Sequence, residues 1–276
     1  MKLTSAKRPQ YPSGRQYHID AAPGEVAPYV LLPGDPERAE KIARSWDEHR
    51  LVSKHREYIT YTGKYKGVPI SVTSTGIGGP AAAIAVEELA AIGATTFIRV
   101  GSTGAIIEDV KLGELVIPIG AVRLDGASKQ YVIPEYPAVP SYEVLVALIE
   151  AAESVGVSYH LGIVASTDSF YTGQGRPGYG GYWQSWMDNI IPDLRRAKVV
   201  SFEMEAATIF TLSNLFGLRS GAVLAVFANR VTDEFEVAGE EEAIKVANEA
   251  VKMLRGWDEL KERSGKRFWH PSLSRG

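Results

Sequence analysis

The sequence contains no cysteine among its 276 residues. That absence excludes a disulfide framework, thiolate metal ligands and a thiol nucleophile. There is also no apolar run of the roughly 18 residues that a membrane-spanning helix requires. The amino terminus, MKLTSAKRPQYPSGRQ, has no apolar centre and does not read as a secretory leader. A marked excess of one charge sign is missing too: 30 Lys and Arg face 33 Asp and Glu, for a net −3. Bulk electrostatics therefore give no reason to expect nucleic acid or a membrane surface as partner. No G-x-x-x-x-G-K-[ST] stretch occurs, so a nucleoside-triphosphate P-loop is excluded. A cytoplasmic location is the default expectation.

What remains is an ordinary globular composition, 45% hydrophobic and 23% charged, with enough length to bury a substantial core. The most informative stretch is TTFIRVGSTGAII, residues 95–107. β-Branched and aromatic residues predict a buried strand ended by glycine, yet Arg99 sits inside it. A buried guanidinium must meet an anion, either a nearby carboxylate or a ligand. Ser102 and the flanking glycines follow at the carboxyl end of the strand, where open α/β sheets bind ligands.

A second strand–glycine–helix junction lies at VLLPGDPERAEKIA. Asp35 suits the N-cap and Pro36 the first helical position, and Arg38 falls in the first turn. A cation beside the positive end of a helix is favourable only if an anion is shared there. Residues 50–75 alternate in polarity and predict a β-hairpin, on which Arg56 and Glu57 read as solvated strand residues. The turn at Gly76, Gly78 and Gly79 leads into a helix over 80–92 and suits close packing or phosphate. Further along, GELVIPIGAVRLD predicts a strand, 141–156 an amphipathic helix, and YHLGIVASTDSFY another strand. A glycine-rich loop then carries Gln174 and Arg176 among aromatic residues that include Phe170, a set suited to a flat heterocycle. Glu203, Met204 and Glu205 stand at a strand-to-helix junction, and Arg230 follows a last buried strand. A final helix is expected over 240–262. Alternating strands and helices predict one α/β domain with a mostly parallel sheet over 18–262, an amino-terminal arm (1–17) and a carboxyl-terminal tail (263–276).

Together these strand ends describe three chemistries. Arg38, Arg99 and Arg56, with Gly34 backbone and the Ser102 hydroxyl, suit a tetrahedral oxyanion. Glu203 and Glu205 around Met204 suit a sugar diol on a thioether face. Gln174 and Arg176 suit a base edge. A nucleoside with a separate phosphate is the ligand set implied.

The blocks GDPERAEKIA, HREY, STGIGGPAAAIAVEEL, FIRVGSTGAI, FYTGQGR, FEMEAAT and FANR resemble, in order, those of the nucleoside phosphorylases, and among them the uridine-cleaving branch. The resemblance spans about residues 18–255. It implies a three-layer α/β/α domain with a twisted mixed sheet, assembled as a hexamer (a trimer of dimers) with shared active sites. It also implies phosphate at Gly34, Arg38, Arg99 and Ser102, ribose at Met204 and Glu205 with Glu203 nearby, and the base at Phe170, Gln174, Arg176 and Arg230. Arg56 and His18 would cross to the neighbouring subunit's phosphate and ribose 5′-hydroxyl; neither role is visible in their own spacing. No metal or organic cofactor is implied, phosphate being a co-substrate. Some relatives bind a monovalent cation through a glutamate, a carbonyl and a serine. Glu57 and Ile77 match that set, but Ala81 replaces the serine, which speaks against the ion. The rival readings are a purine nucleoside phosphorylase, a water-using nucleosidase and a non-catalytic sensor. The purine enzymes protonate N7 with an aspartate where this chain carries Arg230, too weak an acid for that step.

Overall fold

A computed structural model describes residues 4–275. In chain order the elements are β1 (Tyr29–Leu32), α1 (Pro36–Arg44), β2 (Glu48–His55), β3 (Tyr58–Tyr65), β4 (Val68–Thr73), α2 (Gly79–Ala91), β5 (Thr96–Ala105) and β6 (Leu115–Arg123). They continue with α3 (Tyr142–Val155), β7 (Tyr159–Ser166), α4 (Ile190–Arg196), β8 (Val199–Glu203), α5 (Ala206–Leu215), β9 (Arg219–Asn229), β10 (Glu234–Phe235) and α6 (Glu240–Ser264).

The strands form one mixed sheet in the order β10-β9-β6-β7-β8-β5-β1-β4-β3-β2. Parallel pairs (β4 with β1, β1 with β5, β6 with β7, β7 with β8) are joined by antiparallel ones (β5 with β8, β6 with β9), and the β2–β3–β4 margin is antiparallel, so the sheet is mixed more evenly than the mostly parallel one expected. The α/β class and mixed sheet agree with the sequence expectation. One feature goes further: β5 also pairs with β9 in parallel, so β9, β6, β7, β8 and β5 close on themselves. Closure removes two edges and draws the ends of β5, β8 and β9 together.

Two apolar cores flank the sheet. α2 and α5 bury Val86, Leu89, Ile209 and Phe210 against one face. α1, α3 and α6 bury Ile42, Leu148, Val251 and their neighbours against the other. Local signals held at several boundaries. Asp35 accepts from Glu37 N at 2.8 Å as the cap of α1, and Gly156 ends α3 in the left-handed conformation. The expected single hairpin over 50–75 is instead three strands, because a second tight turn forms at Arg56, with φ of +54°. β5 does not end at Gly101 but runs on to Ala105, since β8 and β9 supply partners on both sides. The expected strand over 159–171 stops at Ser166, and α4 follows the glycine-rich loop in a stretch for which the sequence predicted no element. The carboxyl-terminal tail is docked: Trp269 stacks on Trp257 at 3.8 Å, and its N–H donates to Glu143 at 2.9 Å. Glu143 also receives Arg219 and Lys261.

Candidate active site

A cavity of about 720 Å³ opens where the carboxyl ends of β1, β5 and β8 meet. Of the residues singled out from the sequence, Gly34, Arg38, Arg99, Ser102, Phe170, Gln174, Arg176, Glu203, Met204 and Glu205 line it. His18, Arg56 and Arg230 do not.

At one end stand the two arginines. Arg99 and Gly101 share a face of β5, as period-two alternation requires. A Cβ on Gly101 would lie 2.8 Å from the Arg99 guanidinium, so glycine is what lets that group fold over the strand. Arg99 Nε donates to Glu203 at 3.0 Å, and Nη2 pairs with Glu205 at 2.5 Å. Both expected partners of a buried Arg are thus reconciled: carboxylates take two nitrogens, and Nη1 has no protein acceptor among the described residues. Arg38 behaves similarly. Its Nε donates to Glu240 at 2.8 Å and Nη1 to Val100 O at 3.3 Å, leaving Nη2 without an acceptor among the described residues. The Ser102 hydroxyl has no partner among the described residues either. Unused donors bordering one cavity are suited to an anion.

The adjacent carboxylates have different jobs although one residue separates them. Glu203 accepts from Arg99, from Ser166 Oγ, and from the backbone N–H groups of Glu205 and Ala206, both at 2.8 Å. Its Oε2 takes Arg99 and both backbone N–H groups at the start of α5, while its Oε1 takes Ser166 alone. Glu203 is therefore the more heavily committed of the two carboxylates, with acceptor capacity remaining only on Oε1. Glu205 is nearly as buried, but its Oε1 accepts Gly78 N–H at 2.5 Å and its Oε2 pairs with Arg99, fewer partners than Glu203 has. Burial pushes the Glu205 carboxyl up, while Arg99 opposes that shift and Glu203 adds to it. The glycine turn now has an account. Gly78, with φ of +94°, aims its N–H at Glu205, and a Cβ on Gly79 would meet Thr208 Oγ1 at 2.6 Å. The turn serves carboxylate positioning and helix packing.

At the other end Arg176 lies 3.9 Å over the Phe170 ring. Its Nη1 donates at 2.6 Å to Phe170 O and at 2.6 Å to Gln174 Oε1. Burial, and then repulsion from Arg230, lower the Arg176 pKa to about 10. Gln174 Nε2 donates to Thr167 Oγ1 at 3.1 Å. Arginine can only donate, so this network fixes which way the amide points. One lone pair and one N–H of Gln174 remain for a ligand. Arg230 donates to Gln174 O at 2.9 Å and Gly175 O at 3.0 Å. It holds the backbone of Gln174 and Gly175 and is not among the residues that line the cavity. Thr167, Ser166 and Glu240 escaped sequence reading, because hydroxyls and a helix-start glutamate carry no local mark of such partners.

His18 and Arg56 lie together elsewhere. Glu88, a buried carboxylate, accepts His18 N at 3.0 Å, Ile19 N at 2.9 Å and His18 Nδ1 at 2.6 Å. Arg56 sits 5.8 Å over the Tyr17 ring. Glu57, Ile77 and Ala81 border the cavity.

A family model described as "Phosphorylase superfamily" matches residues 28–256. A Thermococcus kodakarensis protein named uridine phosphorylase is 67% identical over 99% of this chain and 98% of its own length. A Treponema pallidum protein of the same name is 42% identical over 88% of this chain and 96% of its own. A guanosine phosphorylase of Halorubrum lacusprofundi is 40% identical over 79% and 85%. With the α/β fold and the cavity at the strand ends, these matches mean that the chain belongs to the phosphorylase superfamily.

Proposed function

We propose that the protein is a uridine phosphorylase, a pentosyltransferase that cleaves uridine with phosphate to uracil and ribose 1-phosphate. The observation that carries the reading is the order of groups along one cavity: unpaired arginine nitrogens, then Glu205 and Met204, then the Gln174–Arg176 pair. Relatives of 67% and 42% identity bear that name. Phosphate held by Arg38, Arg99 and Ser102 attacks C1′ of the ribose. The bond from C1′ to N1 breaks, and its electron pair leaves with uracil. Positive charge developing on the ribose faces the phosphate, which is nucleophile and counter-charge at once. Glu205 accepts from the ribose hydroxyls, and Gln174 and Arg176 donate to the base oxygens as negative charge spreads onto them.

A homo-oligomer, hexameric as in the family resemblance, belongs to this reading. His18 and Arg56 lie outside the cavity of their own chain, as residues lent to a neighbour would. The reading needs no organic cofactor or metal, and it carries a cytoplasmic location. Among the described residues no helix is long and apolar enough to cross a membrane. The guanosine-named relative keeps purine cleavage in view. Against it, Arg230 occupies the acid position and spends its donors on backbone carbonyls. The deciding assay is base release from uridine, thymidine and inosine with and without phosphate. Phosphate-dependent loss of uridine, with inosine untouched, is the expected result. Release without phosphate means a nucleosidase, and no release from any nucleoside means a binding protein.

A further inference from the structure

Arg38 comes from the first turn of α1, where the positive helix end disfavours it. Something must hold it in the cavity wall. The carboxylate of Glu240 does so from 202 positions away: Oε2 accepts Arg38 Nε at 2.8 Å, and Oε1 accepts Lys41 Nζ at 2.7 Å. Glu240 is the first residue of α6, where a negative charge is favoured by the helix dipole. Its place is set by Gly239, at φ of +76°, where a Cβ would come within 2.3 Å of Gly113 O. With Nε tied to Glu240 and Nη1 to Val100 O, the remaining Nη2 edge is what Arg38 offers to the cavity.

We infer that Glu240 is a positioning residue for phosphate, acting through Arg38 by fixing which edge of its guanidinium faces the anion. This rests on the phosphorolytic reading above. Lys41 shares the carboxylate but is exposed and lines no part of the cavity, so it supplies the control.

The test is steady-state kinetics with uridine and phosphate varied independently. Glu240→Ala should raise the phosphate KM about tenfold, with kcat and the uridine KM within about twofold. Glu240→Gln, which keeps an acceptor for Arg38 Nε and the side chain's shape, should show a smaller rise. Lys41→Met should leave the phosphate KM unchanged. In an Arg38→Ala background, removing Glu240 should have no further effect, since the two act as one unit. A role in stability alone would lower Tm and leave the phosphate KM where it was. An unchanged phosphate KM in both folded Glu240 variants overturns the inference, as does a full Glu240 effect persisting without Arg38. A wild-type protein that releases uracil without phosphate overturns the proposed function instead, so the two failures are distinct.

Discussion

Arg99 Nη2 and Glu205 Oε2 stand 2.5 Å apart, both side chains almost wholly buried, in the wall of the cavity proposed to hold phosphate and ribose. In the proposed reading one guanidinium has two tasks: it neutralises the carboxylate assigned to the sugar and offers its remaining nitrogen to phosphate. Loss of Arg99 acts on both.

Arg99→Ala should abolish phosphorolysis at low phosphate. One lost charge-assisted contact is worth at least about 2 kcal/mol, some thirtyfold in rate. It also leaves Glu203 and Glu205 without their cation, and breaking a buried pair typically costs about 3–5 kcal/mol. A fall in Tm should accompany the lost activity. The Glu205 carboxyl, already raised by burial, should rise further once Arg99 no longer opposes that shift. The acid limb of any residual activity should then move to higher pH. Unchanged phosphate dependence in purified Arg99→Ala would show that the anion binds elsewhere.

Base choice is set by hydrogen-bond polarity. Uracil offers acceptors at O2 and O4 and a donor at N3. The free N–H and lone pair of Gln174, with Arg176, match that pattern. Cytosine inverts N3 and the 4-position, and a flipped Gln174 would turn its amide N–H toward Arg176. Unpaired buried groups cost about 1–3 kcal/mol each, so cytidine should be poorer by about three orders of magnitude. Thr167→Val removes the acceptor that holds Gln174 Nε2. Uridine kcat/KM should fall about tenfold and the cytidine gap should narrow. Comparable wild-type turnover of both nucleosides would sink the assignment of the base end.

Subunit sharing can be tested by mixing. His18→Ala and Glu205→Ala subunits, each inactive alone, should recover part of the activity when reassembled, because some sites then carry neither lesion. Glu88→Gln, which loosens the hold on His18 Nδ1, should mimic His18→Ala in part. Proven exchange of subunits with no recovery argues that each chain works alone.

Acid stability should depend on Asp258. Burial pushes its carboxyl up, but hydrogen bonds from Arg219, Tyr29 and Lys261 outweigh that and hold it at about 2, against an ordinary 3.8. A lowered carboxylate stabilises the fold fully above its unfolded value and loses that contribution as pH falls through the folded one. The Tm difference between wild type and Asp258→Asn should be largest near neutrality and shrink as pH drops from about 4 to about 2. A difference constant across that range would remove Asp258 from the account.

Short-range physics made much of this protein legible from its sequence. Asp35-Pro36 started a helix, Gly156 ended one, and a lone Arg99 among strand formers announced an anion. Those signals live within a few residues, where capping and side-chain alternation act. The uridine-cleaving resemblance came from ordered blocks, and it supplied the roles of His18 and Arg56 that spacing could not. Partners far apart in the chain were invisible. The parallel pairing of β5 with β9, the reach of Glu240 to Arg38 and the docking of Trp269 on Glu143 depend on how layers pack. Nor could local pattern separate Glu203 from Glu205. Both flank the same methionine, and only the fold gives one four donors and the other Gly78 and Arg99, because the number of hydrogen-bond partners is decided by what the tertiary structure brings alongside.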